Sequence, residues 1–446
     1  MARHLFGTDG VRGRAGEFLT PELALKLARA AVARCEHERP QVLIVRDTRE
    51  SGEMLESAIA AGVAAAGGDA LLAGVLPTPA APLLVRARGL QLAAVISASH
   101  NPYEDNGIKL FAADGFKLDD DAEHEIEAAL DRPLTAPARI GRVRPLEGAL
   151  EAYVEALHAR FGGLDLSGRS VLLDCANGAT FRAAPEAFRR LGADVRALAV
   201  APDGRNINDG CGSTHIAALA EAVRSGGFDL GFAFDGDGDR VLAVDASGEV
   251  VDGDELVALA AVHLKSTGRL AGGGVAVTVM TNYGFQTAME AAGIEVATTA
   301  VGDRYVLDEL RRRGWTLGGE QSGHIIELSF APSGDGIASA LLTLEALAGR
   351  DLRERGAMRK LPQRLVNVRA ADRESLREAM GSDELRAAIE REQAELAGRG
   401  RVLVRASGTE PLIRVMVEAP GEGETDAVCE RLAELVSGIL GAPAGA

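Results

Sequence analysis

Short apolar runs followed by long stretches of small residues recur three times along the chain. The runs are Val42–Val45, Val171–Leu173 and Val275–Val279, and each precedes a Gly- or Ala-rich segment of helical length and a second apolar run. Strands that alternate with helices in this way are typical of strand–helix–strand units, which form parallel sheets through right-handed crossovers. The pattern predicts three related α/β domains with mostly parallel mixed sheets.

Each unit leads into a further apolar strand that ends in an unusual polar loop. The three loops are Ser97–Pro102, Asp235–Arg240 and Gly318–His324. Ligands of parallel α/β sheets bind beyond the carboxyl ends of the strands. We therefore expect the three loops to converge on one central cleft.

The chain changes character near Arg369. A charged helix is predicted around Arg373–Gly398, and two apolar runs, Val402–Arg405 and Leu412–Val417, precede a final amphipathic helix. This pattern predicts a smaller C-terminal α+β domain. The predicted domains are residues 1–150, 151–255, 256–368 and 369–446.

Two local signals support this outline. Thr20 before Pro21 predicts the start of a helix, because Thr caps well and Pro suits the first helical position. Asp114-Gly115, between the apolar runs Ile108–Phe111 and Phe116–Leu118, predicts a tight hairpin.

Composition describes an ordinary globular protein of several domains, with 446 residues, 47% hydrophobic and 25% charged. The net charge of −17 argues against a nucleic acid or an anionic membrane as partner, so phosphate recognition would depend on local Arg and Lys. No apolar run approaches the roughly 18 residues that span a bilayer, and no secretory signal is evident at the N-terminus. The four cysteines are scattered without a CxxC pair. We expect a cytoplasmic protein.

The loop Asp235–Arg240 contains three aspartates separated by single glycines: Asp235, Asp237 and Asp239. The acids repel one another, and the glycines let the backbone bend until all three face one cation. An EF-hand is excluded, because its sixth and twelfth positions hold Arg240 and Ala246 instead of Gly and Glu. Oxygen ligands alone favour Mg²⁺ over Zn²⁺, with Ca²⁺ less favoured. A solvated acidic turn is the remaining alternative.

Ser99 lies among small and polar residues at a predicted strand end. Its hydroxyl could carry a phosphoryl group, although a serine before His-Asn-Pro also suits a turn or a helix cap. No Ser-His-Asp arrangement is evident, so phosphoryl transfer fits better than acyl transfer. A phosphoserine of about −2 beside three aspartates requires positive charge beyond one divalent cation. The candidates, each of which could instead be an ordinary surface charge, are Arg12, His100, Lys109 and Arg240.

Glu320, Ser322 and His324 alternate on a loop flanked by glycines. Alternating donors and acceptors suit hydrogen bonds to a polyhydroxylated ligand. A buried, satisfied polar network is the alternative.

The segment between the last two predicted strands combines donors suited to phosphate. Side chains that can bind an anion surround the backbone amides near Gly408, and an ordinary glycine turn is the alternative. These residues are Arg405, Ser407, Gly408, Thr409 and Arg414.

Five segments together carry a resemblance to a known family: Phe6–Gly13, Ser97–Pro102, Asp235–Arg240, Gly319–His324 and Arg405–Pro411. The chain resembles the α-D-phosphohexomutase superfamily over nearly its whole length. The resemblance implies four domains around a deep cleft, with Ser99 as the phosphoserine. It also implies one Mg²⁺ per chain, held by the three aspartates and an oxygen of the phosphorylated serine.

The resemblance assigns roles to the other candidates as well. Lys109 would assist proton transfer, and Arg12 and Arg240 would stabilise the transferring phosphoryl group. Glu320 and Ser322 would read sugar hydroxyls. The phosphate that does not react would be held by Arg405, Ser407, Thr409 and Arg414.

The reaction implied by the resemblance converts glucosamine 6-phosphate into glucosamine 1-phosphate through a 1,6-bisphosphate, for UDP-N-acetylglucosamine synthesis. Glucosamine or glucose 1,6-bisphosphate would be the activator. The partner would be a small sugar phosphate, and the sequence leaves a homodimer open. A phosphomannomutase or phosphoglucomutase of the same superfamily is the nearest alternative. There are two further alternatives. One is a haloacid-dehalogenase-like phosphatase, with Asp235 as nucleophile and Asp237 as acid/base, and the other is a non-catalytic sugar-phosphate binding protein.

Overall fold

A computed structural model describes residues 5–7, 9–133, 137–407 and 410–441. The chain divides into two compact units. The first consists of residues 1–280 and 294–357, and the second of residues 281–293 and 358–446. The boundaries of the four predicted domains stay a prediction.

The strands within the described residues are β1 (Val11–Arg14), β2 (Gln41–Arg46), β3 (Asp69–Val75), β4 (Leu92–Ile96), β5 (Asp105–Ala112), β6 (Val143–Pro145), β7 (Ser170–Asp174), β8 (Asp194–Leu198), β9 (Leu230–Phe234), β10 (Val241–Asp245), β11 (Val250–Val251), β12 (Gly274–Thr278), β13 (Glu295–Thr299), β14 (Leu317–Gly319), β15 (Ile325–Glu327), β16 (Gln363–Arg369), β17 (Arg401–Ala406) and β18 (Leu412–Glu418).

The helices in the same part of the chain are α1 (Pro21–Ala33), α2 (Gly52–Ala65), α3 (Ala80–Arg88), α4 (Asp120–Ala129), α5 (Ala149–Phe161), α6 (Thr180–Arg190), α7 (Ala217–Gly226), α8 (Gly253–Ser266), α9 (Tyr283–Ala291), α10 (Asp303–Arg313), α11 (Gly336–Leu347), α12 (Arg373–Met380), α13 (Asp383–Leu396) and α14 (Glu422–Leu440). Among them, none has the length and apolar character that crossing a membrane requires.

The first unit contains three mixed sheets. Their strand orders are β1-β5-β4-β2-β3-β6, β11-β10-β9-β7-β8 and β13-β12-β14-β15. In each, the predicted strand–helix–strand unit forms a parallel pair: β2 with β3, β7 with β8, and β12 with β13. The predicted α/β class is confirmed, because continuous apolar runs form fully buried strands such as β4 and β9, each paired with a parallel neighbour.

Each predicted polar loop connects a strand with a parallel neighbour to an antiparallel strand beside it. The connections are β4 to β5, β9 to β10, and β14 to β15. We call them the serine loop (Ser97–Pro102), the aspartate loop (Asp235–Arg240) and the glutamate loop (Gly318–His324). Each therefore lies at a carboxyl strand end, where a ligand site was expected.

The second unit contains an antiparallel sheet of order β16-β18-β17. The single charged helix predicted around Arg373–Gly398 is wrong: α12 ends before Gly381, and Ser382 caps a new helix, α13, by accepting the Leu385 N–H. Strand β16 was not predicted. Four of its seven residues are exposed, so its apolar signal is weak.

Both local signals are confirmed. Thr20 Oγ1 accepts the Leu23 N–H at 3.3 Å at the start of α1. The Ala112 N–H donates to the Phe116 carbonyl at 2.8 Å, and Gly115 has φ +84°, a conformation that glycine adopts without strain in a tight turn.

Asp335 caps helix α11 within the core of the first unit and gives a pH-dependent prediction. It accepts the Ala338 N–H at 2.9 Å and the Tyr153 hydroxyl at 3.0 Å, and burial raises its pKa to about 7. Between about pH 4 and pH 7 the folded protein therefore binds a proton that the unfolded chain releases, so rising pH lowers stability. Across that range the free energy of unfolding of wild type should fall by an amount on the order of 4 kcal/mol. We expect Asp335→Asn to abolish this decrease.

Urea unfolding of wild type and Asp335→Asn at pH 5, 6 and 7 measures the difference. The matched control is Asp119→Asn, which alters the exposed N-cap of α4. A difference in the free energy of unfolding between wild type and Asp335→Asn that stays constant with pH would contradict the prediction.

Candidate active site

The aspartate loop brings three buried carboxylates to one point. Asp235, Asp237 and Asp239 each offer an oxygen within 4.8 Å of the others. The Oδ1 atoms of Asp237 and Asp239 are buried without a hydrogen-bond partner, a costly arrangement unless a cation is nearby. The donor set is therefore suited to a hard divalent cation such as Mg²⁺.

Burial dominates the electrostatics of this cluster. It raises the pKa of Asp235 well above its usual value, and repulsion from Asp239 and Asp237 adds to the effect. Burial also opposes ionisation of Asp239, but Lys109 holds the pKa of that carboxyl well below its usual value. Lys109 Nζ lies 2.9 Å from Asp237 Oδ2 and 3.6 Å from Asp239 Oδ2. Burial disfavours the charge on Lys109, but Asp237 and Asp9 raise its pKa, so Lys109 is a permanent cation.

The serine loop directs Ser99 at this cluster. Ser99 Oγ lies 2.5 Å from Asp235 Oδ2, and the residue is 1% exposed. Its φ of +53° is rare for a residue with a side chain and costs conformational energy. Ser97 Oγ fixes it by accepting the Ser99 N–H at 3.0 Å and donating to Asp47 Oδ2 at 2.5 Å. The hydroxyl is thus held beside the carboxylates.

A buried arginine that the sequence reasoning missed supports the serine loop. Arg49 and Asp47 form a fully buried ion pair with 2.9 Å between Nε and Oδ2. The Arg49 guanidinium also donates to four backbone carbonyls of the loop and the following strand: those of Ser99 (2.9 Å), Asn101 (2.9 Å), Pro102 and Asp105 (3.0 Å). Asn208 Nδ2 donates to the Ser99 carbonyl as well, at 3.0 Å. The loop is therefore clamped through its main chain.

We expect Arg49→Lys to lower both stability and kcat. A lysine has three donors instead of five, so at least two buried carbonyls lose a partner, at about 1–3 kcal/mol each. Steady-state kinetics should show a larger change in kcat than in KM, because Ser99 loses its alignment. Arg46→Lys, at the end of the preceding strand β2, is the control, since Arg46 pairs with Glu53 and Glu56 and should change little. Unchanged kcat with reduced stability would contradict the alignment role.

Three further predicted groups surround Ser99. His100 Nδ1 lies 3.3 Å from Ser99 Oγ, and burial together with Arg240 and Arg12 lowers the pKa of His100 to about 4. The imidazole is therefore neutral near pH 7. Burial opposes the charges of Arg12 and Arg240, but Asp9 raises the pKa of Arg12, and Asp239 raises that of Arg240. Both side chains have a buried Nε without a hydrogen-bond partner, so each Nε can still donate a hydrogen bond to a ligand.

These groups face a cavity of about 570 Å³ in the first unit, which also contains the glutamate loop. The predicted site residues among its lining are Arg12, His100, Asp239, Arg240, Glu320, Ser322 and His324. Glu320 Oε1 accepts the Gly302 N–H at 3.1 Å. The three loops therefore converge, as predicted.

The aspartate loop contacts both other loops through its backbone. A Cβ added at Gly236 would lie 2.5 Å from the Ser99 carbonyl oxygen. One added at Gly323, whose φ is +90°, would lie 2.1 Å from the Val241 carbonyl oxygen at the end of the aspartate loop. Only glycine fits at these two close approaches.

His324 joins the glutamate loop to the acidic cluster. Its Nδ1 lies 3.6 Å from Asp239 Oδ2, and its Nε2 accepts the Gly334 N–H at 3.1 Å. Burial lowers the pKa of His324, but Asp239 raises it to about 9, so the Nδ1 atom carries a proton that faces Asp239.

The second unit contains the predicted anion-binding residues. Arg405 and Arg414 are directly opposite each other on β17 and β18, an unfavourable pairing of like charges unless an anion binds. Arg414 Nε is buried without a hydrogen-bond partner. Ser407 Oγ accepts the Glu410 N–H at 3.3 Å. The predicted residues Gly408 and Thr409 lie outside the described residues.

Two more side chains that contact the site were not predicted from the sequence. Thr78 Oγ1 donates to Asp237 Oδ2 at 2.6 Å. Asp9 contacts Arg12, Lys109 and Lys117. Asp9 falls within the Phe6–Gly13 motif, which was the available signal, whereas nothing in the local sequence marks Thr78.

Four family models match successive parts of the chain. They are described as phosphoglucomutase/phosphomannomutase α/β/α domain I (residues 3–136), domain II (151–248), domain III (252–365) and C-terminal domain (365–435). Their order agrees with the three repeated units and the C-terminal α+β region. The chain and its fold are those of a phosphohexomutase, an enzyme of the isomerase class.

Curated relatives match at full length. The chain is 52% identical to a phosphoglucosamine mutase of Saccharopolyspora erythraea, over 98% of this chain and 99% of the relative. It is 49% identical to a phosphoglucosamine mutase of Moorella thermoacetica, with the same coverage. The chain belongs to the phosphoglucosamine mutase family.

Solved structures share the fold at lower identity. A phosphoglucomutase/phosphomannomutase family protein from Burkholderia thailandensis matches with a TM-score of 0.81 and 21% identity, over 98% of each chain. Aspergillus fumigatus N-acetylphosphoglucosamine mutase, in complex with GlcNAc-6P and magnesium, matches with a TM-score of 0.69 and 20% identity, over 98% of this chain and 96% of that one. The buried aspartates fit the metal dependence of this family.

Proposed function

We propose that the protein interconverts glucosamine 6-phosphate and glucosamine 1-phosphate through a phosphoserine at Ser99 and a 1,6-bisphosphate intermediate. The observation that carries the proposal is the position of Ser99 Oγ, 2.5 Å from Asp235 in a buried cluster of three carboxylates. The full-length identity of about 50% to phosphoglucosamine mutases supports this choice of substrate.

Asp235, Asp237 and Asp239 would hold one Mg²⁺, with a phosphate oxygen on Ser99 as a further ligand. Bound there, the ion would neutralise charge on the transferring phosphoryl group. The unpartnered oxygens of Asp237 and Asp239 support this assignment, because a cation would satisfy both.

Phosphoryl transfer uses the surrounding cations. The C1 hydroxyl oxygen of the sugar attacks phosphorus as the bond to Ser99 Oγ breaks, and the C1 hydroxyl loses a proton while Ser99 Oγ gains one. Arg12 and Arg240, on the cavity wall, stabilise the negative charge of the phosphoryl group during its transfer.

Two candidates for the proton step have different protonation states. His100 is neutral and lies 3.3 Å from Ser99 Oγ, so it can accept the serine proton when Ser99 attacks the bisphosphate. Lys109 is held as a cation by Asp237 and Asp9, which suits a role as a charge partner of the phosphoryl group rather than as proton donor or acceptor.

The second half-reaction runs with the intermediate reversed. Ser99 Oγ attacks the 6-phosphate of the 1,6-bisphosphate, which regenerates the phosphoserine and releases glucosamine 1-phosphate. Arg405, Ser407, Thr409 and Arg414 would hold the phosphate that is not reacting. Glucosamine or glucose 1,6-bisphosphate would activate the enzyme by phosphorylating Ser99. Cytoplasmic location and homodimer formation stay predictions.

Turnover of glucosamine, glucose and mannose 6-phosphates with Mg²⁺ and a bisphosphate primer tests the proposal. We expect the glucosamine substrate to give the highest kcat/KM and the protein mass to show one phosphate that maps to Ser99. A higher kcat/KM for glucose or mannose phosphate would instead indicate a phosphoglucomutase or phosphomannomutase.

The same preparation tests the phosphatase alternative. A phosphoserine survives hydroxylamine, whereas an aspartyl phosphate at Asp235 would not. Net release of inorganic phosphate with a hydroxylamine-sensitive adduct would contradict the mutase, and absence of any turnover would favour a binding protein. Against a phosphatase, residue 239 is Asp where that class usually has Thr or Val, and Ser99 would have no role.

A further inference from the structure

One carboxylate on the wall of the 570 Å³ cavity has no role in the reaction described above. Asp303, the first residue of α10, lines the cavity beside Glu320 and His324, and its side chain is 19% exposed. Its Oδ2 accepts from Lys117 Nζ at 2.5 Å, and its Oδ1 accepts the Arg304 N–H at 2.8 Å. A carboxylate has room for about four hydrogen bonds, so it can accept further donors.

A negative charge here is unexpected in a cavity for a phosphorylated sugar. Charges of the same sign repel one another, and the repulsion is strong in a partly buried site where solvent screens it little. Burial raises the pKa of Asp303, but Lys117 and His324 lower it below the usual value, so the side chain is ionised. An ionised carboxylate can accept hydrogen bonds from neutral hydroxyls, but it gains a charge-assisted hydrogen bond between two opposite charges only from a ligand group that carries a positive charge.

The backbone places Asp303 close to Glu320, which is predicted to bind the sugar hydroxyls. The N–H of Gly302, the preceding residue, donates to Glu320 Oε1 at 3.1 Å. If Glu320 binds ring hydroxyls, the next residue lies close to a neighbouring ring substituent.

We propose that Asp303 is a specificity-determining residue that accepts a hydrogen bond from the ammonium group at C2 of glucosamine phosphates. The inference rests on the proposed function and deepens it, because it names the group that separates an amino sugar from glucose or mannose. Glucose has a neutral hydroxyl at C2 and gains no such charge pairing.

A purely structural role for Asp303 predicts a different result. Lys117 joins Asp303 to Asp9, and through Asp9 to Arg12 and Lys109. Loss of this ionic chain would disturb the site for every hexose phosphate alike. The ratio of kcat/KM for glucosamine 6-phosphate to kcat/KM for glucose 6-phosphate separates the two roles, since a general loss cancels.

Asp303→Asn tests the proposal with the purified full-length enzyme. We expect the ratio to fall about tenfold or more, as a charge-assisted hydrogen bond to the amino sugar alone is lost. Asp308→Asn, which removes an exposed charge from the same helix and does not line this cavity, should leave the ratio unchanged. An equal loss of kcat/KM for both substrates would overturn the proposal.

Lys117→Met provides a second variant, which should change the ratio of the two kcat/KM values in the opposite direction. It removes the cation that competes for Asp303, so the ratio should rise above that of wild type, and an unchanged ratio would overturn the proposal even if Asp303→Asn fails to fold. A wild-type enzyme without preference for the amino sugar would contradict this inference alone. One that interconverts none of the hexose phosphates would contradict the proposed function, and the inference with it.

Discussion

Ser99→Ala is expected to lower mutase turnover by about three orders of magnitude or more, while its fold and Mg²⁺ affinity stay close to those of dephosphorylated wild type. The phosphoryl group would have no oxygen on the enzyme to occupy, and the surrounding cations and carboxylates cannot replace that covalent step. Removal of the hydroxyl deletes one hydrogen bond to Asp235 at the edge of the carboxylate cluster. The coupled assay for glucosamine 1-phosphate, with a bisphosphate primer present, measures the effect.

The control for this experiment is Ser57→Ala, which alters an exposed serine of α2. Its turnover should match wild type. Thermal unfolding and Mg²⁺ titration of Ser99→Ala should also match dephosphorylated wild type, which separates a chemical effect from loss of fold. Turnover of Ser99→Ala near the wild-type level would refute the phosphoserine.

Asp237→Asn is expected to weaken Mg²⁺ binding and lower turnover by about two orders of magnitude. The asparagine keeps the shape of a side chain that contacts Thr78 and Lys109 but removes one of three metal-ligating charges. In wild type, Mg²⁺ at 100 times its Kd should stabilise the fold by about 2.7 kcal/mol, because it binds only the folded state. Asp237→Asn should need a higher concentration for the same rise in Tm.

Chelation supplies the companion measurement. EDTA should abolish wild-type activity, and added Mg²⁺ should restore it. Asp194→Asn, on the exposed edge strand β8, should respond to EDTA and Mg²⁺ as wild type does. Wild-type turnover that persists in EDTA, or a Tm that ignores Mg²⁺, would contradict the metal assignment.

The repeated α/β units could be predicted because their strands are buried on both faces. Such strands appear in the sequence as short continuous apolar runs, and β4 and β9 are buried along their entire length. The chemical loops could be found for a related reason: each follows such a run directly. By contrast, β16 is mostly exposed, and the break between α12 and α13 depends on the short Gly381-Ser382 segment inside a helical pattern.

The support of the site could not be predicted in the same way. Arg49 follows β2 closely and looks like an ordinary turn residue, yet its guanidinium binds carbonyls about 50 residues away in the chain. Buried ion pairs between distant segments have no periodicity, so local patterns do not reveal them. Asp9 and Asp303 were missed for the same reason, although Asp9 lay within a recognised motif.

The glycine contacts of the aspartate loop limit how this site can be redesigned. Gly236 and Gly323 leave no room for a side chain between neighbouring backbones. Mutant libraries that randomise whole loops should therefore yield mostly misfolded variants. New sugar preferences should come instead from single side-chain changes on the cavity wall, at positions such as Ser322, which is already exposed to the ligand space.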